Sequence, residues 1–143
     1  NEQVFLADMA RGECFAVTHG GEVAAVFVLS TLEQENYAKI TDGKWTADMA
    51  YCVLHRSAVS AKYRGSGMAE FMMKCVERQA AEGFGLRCIR VDTHRKNKAM
   101  QRLLRESGYR YRGNVLIDDA GHDPARQAYE KILKIKNIAG GCK

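Results

Sequence analysis

The 143-residue chain predicts a mixed α/β domain, a single twisted sheet with helices on both faces. Three observations carry that prediction. Short apolar, β-prone runs alternate with two segments of helical period. The turn His19-Gly20-Gly21 separates two such runs and predicts a hairpin. A third run ends at Val59 and passes through a glycine loop into an amphipathic helix, as a strand–helix crossover does.

Taken in order, Val4, Phe5 and Met9 fall on one face of a short helix that Gly12 ends. Cys14 to Thr18 and Glu22 to Ser30 read as the hairpin strands. Residues 31–49 are polar and carry Tyr37 and Trp45. They read as a loop with one helical turn, and so long a loop in a compact domain is often functional. Ala50 to Val59 is the third strand. Met68 to Gly83 is a helix with Met68, Phe71, Met72, Cys75, Val76 and Ala80 inward, stopped by Gly83 and Gly85. Leu86 to Asp92 is the fourth strand, parallel to the third because a helix separates them. Lys98 to Ser107 is a helix burying Ala99, Met100, Leu103 and Leu104, stopped by Gly108. Tyr111 to Ile117 and Gln127 to Leu133 are closing strands joined by a turn over Asp118–Pro124, and the Lys-rich end from Lys134 frays.

The length suits one domain spanning 1–143, and 46% apolar with 27% charged residues is an ordinary globular composition. No run approaches a membrane span, and no signal-peptide pattern opens the chain. The net charge is +5, with Arg and Lys clustered between Arg87 and Arg112. That cluster favours a phosphorylated cofactor or a solvated face over nucleic acid, because no nucleic-acid motif accompanies it. Five cysteines form no C-x-x-C spacing, which reads as buried free thiols in a reducing cytoplasm. The four histidines lack metal-ligand spacing, so no metal site is expected.

Residues 59–69, Val-Ser-Ala-Lys-Tyr-Arg-Gly-Ser-Gly-Met-Ala, are the most informative stretch. Gly65 and Gly67 let the backbone approach a ligand closely and take positive φ. The N–H groups opening the helix have no intrahelical partner, and the helix dipole makes that end positive. Arg64 adds a forked donor. A diphosphate fits such a cradle. A Walker loop is excluded because no Gly-Lys-Ser/Thr follows, and a Rossmann reading lacks its second glycine fingerprint and ribose-binding acid.

Arg64-Gly65-Ser66-Gly67-Met68-Ala69 resembles Arg/Gln-x-x-Gly-x-Gly/Ala, the coenzyme A pyrophosphate loop of the GNAT N-acetyltransferases. Asn97 to Tyr109 resembles that family's Asn-x-x-Ala/Met…Leu-Tyr-x-x-x-Gly-Phe/Tyr segment, and the likeness spans about residues 13–133. The bland alternative is a tight turn, an N-cap at Asn97 and a C-cap at Gly108. The resemblance implies acetyl-CoA as cofactor and a sheet that splays between the third and fourth strands to admit it. Carried over, Ala58 and Val59 would meet the pantetheine through their backbone. Arg64, Gly65, Ser66, Gly67, Met68 and Ala69 would hold the diphosphate, Asn97 the pantetheine arm or the adenosine-proximal end, and Arg105 the 3′-phosphate region. A backbone N–H near Ser57 and Ala58 would stabilise an oxyanion. Leu104 stands where the family usually has a Tyr that protonates the leaving thiolate, so the thiolate is expected either to leave unassisted or to be served by another group such as Tyr109 or a water. The family also begins with a strand and a helix ahead of the segment that opens here, so the domain is expected to lack both.

An amine acceptor needs a base at the splay. Asp92 ends the fourth strand, where the family often places an acid, and His55 lies on the third strand with a side chain that titrates in the useful range. The alternatives are a turn cap for Asp92 and a satisfied core or edge residue for His55. Tyr37, Trp45 and Tyr51 are candidate walls of an acceptor pocket or, equally, covers for the core edge. The expected activity is acetyl transfer to a primary amine of a small molecule or peptide. An acyl-CoA-binding sensor without turnover and a basic RNA-associated domain are the alternatives, and a homodimer is left open.

Overall fold

The computed structural model describes residues 12–46, 48–117 and 123–134. The segment expected to carry Val4, Phe5 and Met9 on a helix lies outside them, as do most of the turn over 118–124 and the end of the chain beyond Lys134. Strand β1 (Cys14–His19) and strand β2 (Glu22–Ser30) form the expected hairpin. Gly20 and Gly21 take φ of 57° and 82°, the two positive values that a tight hairpin turn demands. Strand β3 (Tyr51–Val59) adds antiparallel to β2. Helix α1 (Met68–Arg78), continued by a π-turn over Gln79–Gly83, carries the chain to β4 (Cys88–Thr93), which lies parallel to β3. Helix α2 (Lys98–Glu106) precedes β5 (Arg110–Leu116) and β6 (Ala125–Ile132). The six strands run in the order β1-β2-β3-β4-β6-β5.

Among the described residues, both α-helices pack on one face of this sheet. Met72, Met73, Val76 and Ala80 from α1 and its π-turn, with Leu104 from α2, meet Phe27, Leu29, Leu54, Ile89 and Val91. Burying each large side chain of this kind contributes about 1.5–3 kcal/mol. Phe71, expected inward, is instead 52% exposed, and Met73 takes the inward place. The opposite face is covered by the long loop. Its 3-10 turn Glu35–Lys39 brings Tyr37 down onto Val53, Val115 and Ala128. Two caps fix α2. The Asn97 side chain accepts the Met100 N–H at 3.1 Å. At the other end Gly108, with φ of 89°, lets Tyr109 N–H reach Leu104 C=O and its own N–H reach Arg105 C=O.

Candidate active site

Strands β3 and β4 part company early. They share three register pairs, Tyr51 with Cys88, Cys52 with Ile89 and Val53 with Arg90, while β3 continues against β2 as far as Val59. The pairing of Val28 with His55 and of Val26 with Ala58 inserts one extra residue into β3, and Arg56 takes φ of 45° at that bulge. The extra residue reverses the alternation. Val59 therefore packs toward the helices although the odd-numbered Val53 faces the other way. Beyond the bulge Ser57, Ala58 and Val59 form one wall of a cavity of about 740 Å³, closed by Ala69 and Met72 of α1 and by Asn97, Met100 and Leu103 of α2.

At the mouth of this cavity the loop entering α1 is open. Gly65 and Gly67 take φ of 75° and 88°, and a Cβ on either would meet no protein atom within 4 Å. Together with Tyr63 and Arg64 they line an adjoining hollow of about 250 Å³. Gly67 begins the helix with no side-chain cap. Among the described residues, the N–H groups of Gly67, Met68, Ala69 and Glu70 find no hydrogen-bond acceptor. Four unsatisfied donors at a helix N-terminus, beside an exposed Arg64, form an electropositive cradle. Ser66 does not face it; its hydroxyl donates to Tyr63 C=O. Met68 packs into the core instead.

On α2 the structure departs from the sequence reading. Asn97 lines the cavity, with its side chain engaged as the N-cap. Arg105 is exposed and outside the cavity wall, whereas Arg102 lies in it, bonded through Nε to Glu106 at 3.0 Å. Helical spacing from Ala99 would have found Arg102, since positions 99, 102, 103 and 106 share the face that the cavity uses.

The other side of the splay holds the acid and the aromatic residues. Asp92 stands two residues beyond the last β3–β4 pair, and its Oδ2 accepts the Tyr37 hydroxyl at 2.6 Å, so it caps no turn through that contact. Burial first, and then the negative charge of Asp92, push the Tyr37 phenol well above its ordinary range and keep it protonated. Tyr37, Trp45 and Tyr51 come together, with ring centroids 5.1 Å apart for Tyr37–Trp45 and 6.3 Å for Tyr37–Tyr51. With Glu33, Glu35 and Arg90 they line a pocket of about 450 Å³. Arg90 went unremarked in the sequence except as part of the basic cluster. Its signal was the alternation Cys88, Arg90, Asp92, which puts the charged pair on the face away from Ile89 and Val91.

His55, His94 and Tyr109 sit elsewhere. His55 is half-buried opposite Val28, just before the bulge, and, like Asp92, lines neither of these cavities; Asp92 differs in its bond to Tyr37 of the aromatic pocket. His94 is engaged by Asp123 at 2.9 Å and accepts the Lys96 N–H on Nδ1. Tyr109 is 3% exposed within the helix-side core, and its hydroxyl has no hydrogen-bond partner among the described residues. Tyr109 is not part of the lining of the cavity at α1. Leu104 is itself fully buried in that core.

Residues 2–109 match the family described as Acetyltransferase (GNAT) family. The chain belongs to the GNAT acetyltransferases. A GNAT acetyltransferase from Streptococcus agalactiae is 32% identical, covers 94% of this chain and 73% of its own, and superposes with a TM-score of 0.79. An acetyltransferase from Bacillus subtilis, solved in complex with CoA, shares the fold at 15% identity, with 94% and 85% coverage and a TM-score of 0.67. A spermidine N-acetyltransferase from Vibrio cholerae does so at 12% identity, with 92% and 72% coverage and a TM-score of 0.65. No curated protein sequence matches the chain.

GNAT enzymes are acetyl-CoA-dependent transferases, and the residues of this chain fit that cofactor. The glycines leave open the space that a Cβ would fill, and the unsatisfied amides match phosphate oxygens in charge and donor character. No helix among the described residues is long and apolar enough to cross a membrane.

Proposed function

We propose that this GNAT domain, taken as a single unit over residues 1–143, transfers an acetyl group from acetyl-CoA to a primary amine of a small molecule or peptide, by direct attack with both substrates bound. One observation carries the reading: the amides that open α1 meet no acceptor among the described residues, and Ala69 and Glu70 of that turn line the cavity that also takes in Ser57, Ala58 and Val59 of β3. Gly65, Gly67 and Ala69, with Arg64 beside them, would hold the diphosphate. Ala58 and Val59 would offer backbone groups to the pantetheine, Asn97 would contact its arm, and Arg102 rather than Arg105 would serve the phosphorylated end. When bound, acetyl-CoA supplies the thioester that an amine opens to an amide, releasing a thiol.

The chain's own residues then have two tasks. Asp92 receives the proton that the amine must lose, directly or through one water. Tyr37, Trp45 and Tyr51 orient the acceptor, and the acidic Glu33 and Glu35 at the pocket rim favour a cationic one. His55 lies on the wrong stretch of β3 for direct contact with this pocket and is not assigned a step. A titration of acetyl-CoA by calorimetry, followed by thiol release across a panel of amines and peptides, tests the reading. Absence of acetyl-CoA binding overturns it. Binding without thiol release on any acceptor supports instead an acyl-CoA sensor, a second reading that Leu104 favours because it offers no proton to a departing thiolate.

A further inference from the structure

Arg90 occupies an unusual position for a cation. Only 6% of it is exposed. Its guanidinium carbon sits 4.4 Å from the centroid of Trp45 and 4.1 Å from that of Tyr51, packed against the faces of two rings. Its Nε donates to Glu130 Oε2 at 3.1 Å, and the Glu130 side chain is wholly buried. The other oxygen of Glu130 accepts the Thr46 backbone N–H at 3.0 Å and Arg112 Nε at 3.2 Å. One buried carboxylate on β6 thus grips the long loop twice, through Thr46 directly and through Arg90 and the Trp45 ring. The loop then returns to β4: Trp45 Nε1 donates to Tyr37 C=O at 2.8 Å, and the Tyr37 hydroxyl donates to Asp92. Tyr51 ties down the near end of the same loop by accepting the Gln34 N–H at 3.3 Å.

We infer that Arg90 is the positioning residue of the acceptor pocket: clamped by Glu130, it holds Trp45 and Tyr51 in place and so determines which amines the enzyme accepts. This rests on the reading that the aromatic pocket takes the acceptor. The physical basis is the shape of the guanidinium. A planar, weakly hydrated cation can lie against ring faces and still present its edge to a carboxylate, which a compact ammonium cannot do. None of Arg90, Glu130, Trp45 and Tyr51 lines the cavity at α1, so the effect is expected on the acceptor side.

Arg90→Lys is the test, because it keeps the charge beside Glu130 and loses the planar stack. Trp45 is the sole tryptophan, so its fluorescence reports the wall directly. The expected result is increased acrylamide quenching of Trp45 and an acetyl-CoA affinity within about twofold of the parent, together with a rise of about tenfold or more in the Michaelis constant for the best amine of the panel. Should Arg90→Lys fail to fold, Tyr51→Leu removes one ring of the sandwich and is expected to raise quenching and the amine Michaelis constant in the same direction. Unchanged quenching overturns the clamp. Raised quenching with an unchanged amine Michaelis constant overturns its role in acceptor choice. If Trp45→Ala also leaves that constant unchanged, the fault lies with the assignment of the pocket itself.

Discussion

The Tyr37 hydroxyl donates a 2.6 Å hydrogen bond to Oδ2 of Asp92, joining the buried turn of the long loop to the free end of β4. The phenol is held protonated by its burial, so its role in the pair is fixed as donor. The carboxylate it addresses is the acid nearest the splay on β4, and the loop residue that orients it also lines the aromatic pocket. One hydrogen bond thereby couples the proposed base on β4 to the loop that forms the proposed acceptor wall.

Asp92→Asn is expected to lower turnover by about 10²–10⁴-fold while leaving acetyl-CoA affinity unchanged. Tyr37→Phe should destabilise the fold by about 1.5–3 kcal/mol, the usual range for a hydrogen bond to a charged group, with a smaller loss of turnover. Steady-state thiol release and urea melts check both. A full rate in Asp92→Asn removes Asp92 as the base.

Gly67 offers a separate test of the cradle. At φ of 88° any side chain is strained, by about 1–3 kcal/mol, yet no protein atom stands in its way. Gly67→Val should therefore yield a folded, modestly weakened protein whose acetyl-CoA affinity falls by more than about tenfold, because the side chain enters the space where phosphate oxygens approach. Retained affinity in calorimetry would show that the phosphates sit elsewhere.

The two arginines of α2 separate the structure's account from the sequence's. Arg102→Ala and Arg64→Ala should each weaken acetyl-CoA binding by about tenfold and flatten its dependence on salt, as loss of a charge-assisted contact does. Arg105→Ala should change neither. The reverse pattern, with Arg105 sensitive and Arg102 silent, would place the phosphorylated end on the other side of the helix.

Four buried acids govern behaviour in alkali. Burial, first, pushes the Cys52 thiol up from 9.0 to about 12 and the Cys88 thiol up to about 11, and it raises Tyr37 and Tyr109 well above 10.0. The folded state keeps these protons where the unfolded chain has lost them, so their contribution is intact below pH 9 and declines as pH rises above it. Each group removes about 1.4 kcal/mol per pH unit within its window, the thiols from about pH 9 and the phenols from about pH 10. Urea melts between pH 8 and roughly pH 10.5 should show this decline, and Cys52→Ala should make it shallower.

Much of this was legible in the sequence because the signals were local. The alternation of β2, the paired glycines of the hairpin, the Asn97 cap and the Gly108 stop each follow from a few adjacent residues, and the structure places them as expected. The positive φ of Gly65 and Gly67 could be read for the same reason. Three features could not. Phe71 turns outward because the helix-side core is filled by Met72 and Met73, a matter of sheet position and not of helical period. That Arg102 and not Arg105 lines the cavity depends on β3 and α1, which select the face of α2 it uses. The Arg90–Glu130 pair joins residues 40 apart, which only the antiparallel register of β4 and β6 brings opposite each other.

The early divergence of β3 from β4 divides the sheet into two leaves, β1-β2-β3 and β4-β6-β5, hinged on three rungs. Main-chain groups of β3 past Val53 that point into the gap lack the shielding a neighbouring strand provides, so they should exchange their hydrogens with solvent far faster than those bonded to β2. A molecule lying along that gap would act as a seventh strand, and the protection it confers there would map its path amide by amide.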